Sequence, residues 1–300
     1  MARVSLRERI KQDLFLLDGA MGTELIARGV KVGKCNDYLN IEQPDIIFDI
    51  HHSYFEAGSD AVIANTFGAN KYVLGRHGFA QETIKINKAG VQIARDAAGE
   101  NKYVLGDIGP SGDFLEPLGP LKAQDLKDAY IQQANALLDG GVDGFIIETM
   151  TAIEETAVAI EAVKSIGGDL PVFASMSFDK AGDDFKTMMG VDVEAAVTTI
   201  VSSGIDAVGF NCGTLSLDGY IELAEKYVSA AQALSADVLI YAEPNAGRPE
   251  LVEEKAVYKV SPEDFVEMVE KIHAAGVNIV GGCCGTSPAH IRATAERLKS

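Results

Sequence analysis

The chain has 300 residues, with 26 Lys+Arg against 44 Asp+Glu (formal net charge −18), 47% hydrophobic and 23% charged residues, 4 Cys and no Trp. That balance is ordinary for a globular protein with a large core, and its acidic surplus argues against nucleic-acid binding, which needs a basic face. No apolar stretch reaches the roughly 20 residues of a membrane span, no signal-like run follows the charged start, and four cysteines are too few for a disulfide scaffold, so a cytoplasmic chain without membrane contact is expected.

In chain order, eight short apolar runs stand out. They are Leu14-Phe15-Leu16-Leu17, Ala61-Val62-Ile63-Ala64, Tyr103-Val104-Leu105-Gly106, Gly144-Phe145-Ile146-Ile147, Val172-Phe173-Ala174-Ser175, Ala207-Val208-Gly209-Phe210, Val238-Leu239-Ile240-Tyr241 and Ile279-Val280-Gly281-Gly282. None alternates strictly, which is how strands covered on both faces read. A glycine triplet precedes every second run: Gly58-Ser59-Asp60, Gly141-Val142-Asp143, Gly204-Ile205-Asp206 and Gly276-Val277-Asn278. Glycine fits the position just past a helix end, where a left-handed backbone is cheap only without a Cβ. Each run is followed by a stretch long enough for a helix. Asp125 and Thr151 open periodic segments, Pro262 follows Ser261, and Pro288 sits two residues after Thr286. Eight strand-then-helix units with right-handed crossovers predict one (β/α)8 barrel domain over residues 1–300. An open doubly wound sheet is the rival, but no G-x-G-x-x-G follows any run.

Such barrels build their active sites at the C-terminal ends of the strands. Here the runs end in Asp18-Gly19-Ala20, Asn65-Thr66, Asp107, Glu148-Thr149, Ser175-Met176-Ser177, Asn211-Cys212, Glu243-Pro244-Asn245 and Cys283-Cys284. Helix capping accounts for part of this polarity, but not for three cysteines on strands six and eight. A lone Cys is most often a small buried apolar residue. The run Gly281-Gly282-Cys283-Cys284-Gly285 instead lets the backbone turn so that adjacent thiols share one centre, which a regular strand forbids. A vicinal disulfide is an alternative, but it leaves Cys212 unused. Three thiolates and one open position describe a catalytic zinc site. Its negative charge makes it a poor Lewis acid, suited to a substrate thiol that loses its proton and stays nucleophilic. Redox or metal storage is the competing use of clustered cysteines. Cys35 reads as incidental. His51 and His52 fall on the helix after strand one, away from the site, and His273 and His290 lack ligand spacing. Asp183-Asp184 and Glu253-Glu254 read as exposed loop charges.

Leu17-Asp18-Gly19-Ala20-Met21-Gly22-Thr23-Glu24, Asn65-Thr66-Phe67-Gly68-Ala69, Gly106-Asp107-Ile108-Gly109-Pro110, Asn211-Cys212, Glu243-Pro244-Asn245-Ala246-Gly247 and Gly281-Gly282-Cys283-Cys284-Gly285-Thr286 resemble the homocysteine S-methyltransferase family. The likeness runs from about Leu14 to His290. Within the family, the stretch from Ser53 to Asp60 and the Glu-Pro-Asn-Ala-Gly segment are most similar to the homocysteine-binding module of cobalamin-dependent methionine synthase. The resemblance implies a (β/α)8 barrel holding Zn2+ through Cys212, Cys283 and Cys284. It also implies Asn245 as a weak oxygen ligand that the homocysteine sulfur displaces. Glu148 would meet the substrate ammonium, and Asp18 with the Gly19 and Ala20 amides would hold the rest of the amino acid. Asn65, Thr66, Asp107 and Ser177 are expected to line the pocket.

The expected reaction methylates homocysteine, activated as a zinc thiolate, to methionine, with methylcobalamin on a corrinoid partner protein as donor. One alternative donor set is S-methylmethionine, S-adenosylmethionine or a betaine. A sulfonium or quaternary nitrogen calls for an aromatic cage, which 7% aromatics with no cluster at the strand ends does not supply. The third reading is a non-catalytic zinc or thiol-redox module.

Overall fold

The computed structural model describes residues 3–166, 168–234, 237–252 and 255–299, so Glu253-Glu254 lies outside the described residues. The eight runs form β1 (Phe15–Leu16), β2 (Ala61–Ile63), β3 (Tyr103–Ile108), β4 (Gly144–Met150), β5 (Val172–Met176), β6 (Ala207–Asn211), β7 (Leu239–Glu243) and β8 (Ile279–Val280). Neighbours pair in parallel in the order β1-β8-β7-β6-β5-β4-β3-β2. Among the described residues no ladder joins β1 to β2, and hydrogen bonds of Asp60 and Asp18 bridge the gap. At the top, both Asp18 carboxylate oxygens accept from the Ile63 N–H, at 3.1 and 3.2 Å.

The expected barrel is thus the observed one, with a long helix after each strand: α1 (Pro44–Glu56), α2 (Thr83–Ala98), α3 (Ala123–Gly140), α4 (Ile153–Ser165), α5 (Val193–Ser202), α6 (Leu217–Ala233), α7 (Pro262–Ala274) and α8 (Pro288–Leu298). Ser261 caps α7 through the Asp264 N–H, and α8 is capped by Ser287 rather than Thr286. His290 completes that cap and reaches Val260 O, and His273 bonds to Val277 O, so both histidines brace helix ends. Asp184 belongs to a short hairpin strand and pairs with Lys226 at 2.6 Å. Among the described residues no helix is long and apolar enough to cross a membrane.

The four glycine triplets explain the lower rim. Gly58, Gly141, Gly204 and Gly276 all have positive φ, between 67° and 118°. Each delivers the acidic or amide residue two positions later to the preceding strand. Asp60, Asp143, Asp206 and Asn278 donate their N–H groups to Leu16 O, Val104 O, Val172 O and Ile240 O. Their side-chain oxygens accept from the N–H of those same four residues, at 2.9, 2.8, 3.0 and 3.4 Å. Each triplet is therefore a two-point clasp between consecutive strands. The three aspartates also gather cations: Arg9 and Lys299 at Asp60, Arg3 and Arg95 at Asp143, and Arg7 at Asp206.

Two apolar layers hold the barrel. The larger lies between sheet and helices, and the smaller fills the interior with Phe15, Leu17, Ala61, Tyr103, Leu105, Ile146, Phe173, Ala207, Tyr241 and Ile279. Leu6 and Ile10, on and just after the short helix Leu6–Arg9, join this interior layer at its base. Gly209 makes room within it, because a Cβ there would lie 2.4 Å from the Tyr241 ring and carbonyl.

Candidate active site

Side chains on a strand alternate between faces, so the interior phase can be followed upward. Leu105 leads to Asp107, Ile146 to Glu148, Phe173 to Ser175, Gly209 to Asn211 and Tyr241 to Glu243. The apolar plug gives way to polar groups one step from the mouth. There a cavity of about 520 Å³ opens, with Asp18, Asn65, Asp107, Glu148, Glu243 and the three strand-end cysteines in its wall.

The Cys212, Cys283 and Cys284 sulfurs all lie within 4.8 Å of one another, and the two adjacent ones are 3.9 Å apart. All three residues are half-buried, open to the cavity. Cys212 sits at φ 57°, a left-handed conformation that a side chain adopts only under constraint. Tyr220 hydroxyl to Cys212 O (2.8 Å) and Cys212 N–H to Glu243 O (3.2 Å) hold it there. Cys283 and Cys284 are fixed to the β7 end through Cys283 N–H to Pro244 O (2.9 Å) and Ala246 N–H to Cys284 O (3.0 Å).

This donor set fits a tetrahedral metal. Zinc–sulfur bonds of about 2.3 Å place sulfurs roughly 3.8 Å apart. Without a cation, hydrogen bonds from Cys212 and Cys283 hold Cys284 down at about 3 as a thiolate, while hydrogen bonds to Cys212 and Cys284 push Cys283 well up. Sulfurs this close share protons, and a divalent cation is what lets all three ionise together. Asn245 adds a fourth candidate: its Nδ2 donates to Gly213 O at 2.7 Å, while its buried Oδ1 has no partner among the described residues.

Beside the sulfurs stand four carboxyls. Burial pushes Glu148 from 4.5 to about 8, with the Cys212 charge adding to it. Burial, with repulsion chiefly from Glu148 adding to it, lifts Asp18, Asp107 and Glu243 well above the carboxylate range. One oxygen each of Asp107 and Glu243 is buried without a partner among the described residues. An acid raised on folding stabilises the fold fully below its unfolded value, and that stability is lost as pH climbs through the folded value. The ligand-free chain should therefore melt at falling temperature from pH 5 to pH 8, the window set by Glu148. Calorimetry that finds a flat or rising melting temperature across this window would contradict the charge assignment.

Not every expected lining residue faces the cavity. Asp18, Gly19, Ala20, Asn65, Asp107 and Glu148 do. Thr66 and Ser177 are not in the wall. The fully buried Thr66 hydroxyl is spent on the Asp107 backbone, donating to its O at 2.9 Å and accepting from its N–H at 3.2 Å. At Ser177 the chain has left β5 and turns out toward the hairpin of Asp179–Ala181 and Asp184–Lys186. Asn65 is in the wall, but its amide bonds to Asn36 O and Asn40 Oδ1. The Ala20 N–H is likewise taken, by Thr286 Oγ1 at 3.0 Å.

Cys35, read as incidental, lies in the cavity wall, and His51, read as away from the site, lies beside Asp18. Cys35 lines the outer cavity with Asn36, Asp37, Phe67 and His77. His51 is fully buried, its Nδ1 4.0 Å from Asp18 Oδ2, because α1 packs its inner face behind β1. Burial lowers His51 to about 3 and keeps it neutral. Glu243 and Asn211 gain their importance from the inward phase, a signal present in the sequence.

The fold and site thus define a (β/α)8 barrel enzyme class with a three-cysteine centre at the mouth. The homocysteine S-methyltransferase profile matches residues 15–298, and the chain belongs to that family. It is 35% identical to the methionine synthase of Mycobacterium tuberculosis over 312 aligned residues, and 34% identical to that of Mycobacterium leprae. Both alignments cover 98% of this chain, which spans about a quarter (25%) of either relative. Among solved structures, the metallated form of the homocysteine methyltransferase MmuM from Escherichia coli superposes with a TM-score of 0.78 at 22% identity, covering 97% of this chain and 99% of that one. That likeness is one of fold.

Proposed function

We propose that the chain binds homocysteine with its sulfur at the cysteine cluster and accepts onto that sulfur a methyl group from a methylated corrinoid, methylcobalamin, carried by a partner protein or domain. The observation that carries this reading is the junction, in one cavity, of three convergent sulfurs with the carboxyls of Asp18, Asp107, Glu148 and Glu243. Cys212, Cys283 and Cys284 would hold Zn2+, with Asn245 Oδ1 as the resting oxygen ligand. Zinc bound there supplies a position at which a thiol is deprotonated yet stays electron-rich. Glu148, ionised by a nearby cation, would hold the substrate ammonium, with Asp18, Asp107 and Glu243 sharing the charge. The carboxylate end would lie along Gly19 and Ala20, where the Gly19 side carries the contact because Ala20 is already bonded to Thr286.

The choice of donor rests on the cavity wall. Among its residues Phe67 is the one Phe, Tyr or Trp ring, too few for the cage that a sulfonium or quaternary nitrogen favours. Zinc-loaded protein mixed with homocysteine should consume methylcobalamin and form methionine. S-methylmethionine, S-adenosylmethionine and betaine, tried in turn, should give little. Turnover with one of these and none with methylcobalamin would transfer the reading to that donor.

A further inference from the structure

The proposed chemistry, on which this inference rests, sets a selectivity problem. With a cation present, three cysteine sulfurs ionise beside the substrate sulfur, and any of the four can attack a methyl group. If a cysteine attacks, its lone pair forms the S–C bond, the leaving group departs with the electrons of the broken bond, and an uncharged thioether replaces a ligand. The site would be lost in one misdirected turnover.

We propose that Asn211 shields Cys283 from methylation by donating a side-chain hydrogen bond to its sulfur. Asn211 is 1% exposed and its amide orientation is fixed. Its Oδ1 accepts from the Thr149 N–H and the Ser175 hydroxyl, both at 2.8 Å. Since Thr149 N–H can only donate, the other end of the amide must be the NH2 group. One of its hydrogens goes to Thr149 Oγ1 at 2.7 Å, and the other points to the Cys283 sulfur, 4.0 Å away. A hydrogen bond occupies a sulfur lone pair and withdraws charge from it, lowering its nucleophilicity. The incoming substrate sulfur receives no such donor from Asn211, so it is left more nucleophilic than Cys283.

The test uses zinc-loaded protein, methyl iodide as a donor that needs no partner, and peptide mass spectrometry of S-methylation at each cysteine. Cys212 is the internal reference, since a general loosening of the site raises all three sites together. Asn211→Ala should raise the Cys283-to-Cys212 methylation ratio about fivefold, the factor one ordinary hydrogen bond represents. Asn211→Asp, which keeps the side-chain shape but carries no side-chain N–H, should raise the same ratio. Unchanged ratios in folded variants overturn the inference, and if Asn211→Ala fails to fold, the Asn211→Asp ratio decides. A parallel cobalt(II)-loaded sample separates the two readings. Sulfur-to-cobalt absorption bands that ignore added homocysteine overturn the proposed function, whereas responsive bands with unchanged ratios overturn the shielding alone.

Discussion

Cys283→Ala should strip the chain of zinc and of methyl transfer together. The sulfurs of Cys212, Cys283 and Cys284 lie within 4.8 Å of one another, so removing any one leaves two soft donors and an opening on the wrong side of the cation. Loss of a residue that merely orients a ligand costs roughly 10–100-fold in metal affinity, and loss of a ligand should exceed that. Zinc content, measured with thiol content on reduced protein, should fall from about one per chain to near zero. Cys212→Ala and Cys284→Ala should behave alike. Cys35→Ala is the control, since Cys35 lines the outer cavity but stands outside the metal-competent cluster, and it should keep full zinc and activity. Stoichiometric zinc in Cys283→Ala would remove the basis of the functional reading.

The second large effect concerns stability. Asp143 accepts from the Val104 N–H at 2.8 Å and from Arg95 at 2.6 Å, and pairs with Arg3 as well. Asp143→Ala leaves a strand N–H and two partly buried guanidinium groups without their acceptor. Breaking such an arrangement costs about 3 kcal/mol, which for a chain of 300 residues lowers the melting temperature by roughly 5 °C. Asp143→Asn should cost clearly less, because Asn278 already makes the same two-point clasp with an amide in the fourth repeat. Ablating the exposed Asp184–Lys226 pair should change stability by under about 0.5 kcal/mol. Equal melting temperatures for Asp143→Ala and the parent would show that the clasp is decorative.

The contrast between the clasps and the pocket shows why some features could be read from the sequence and others could not. The clasps repeat, and glycine before Asp or Asn has few uses besides ending a helix and opening a strand, so the barrel and its four-part order were legible. The cysteines were legible because each ends a strand, and no core needs two adjacent thiols between glycines. Which face a strand-end residue presents was harder to read. Thr66 and Asn65 are neighbours at the end of β2, yet one is turned into the wall and the other lines the cavity. Chain order also hides lateral packing: nothing near His51 in the sequence announces that α1 brings it behind Asp18. Asn211 was visible as half of a motif, but its partners Ser175, Thr149 and Cys283 lie 36, 62 and 72 residues from it in the chain.

The plug formed by Leu6, Ile10 and the interior layer makes the barrel a blind channel. Whatever reaches the sulfurs through the cavity at the mouth departs by the same opening. For the proposed reaction this imposes an order of events: the amino acid must be seated before a bulky methyl carrier closes over it, and the methylated product stays trapped until that carrier withdraws. A carrier that docks too early would lock the acceptor out.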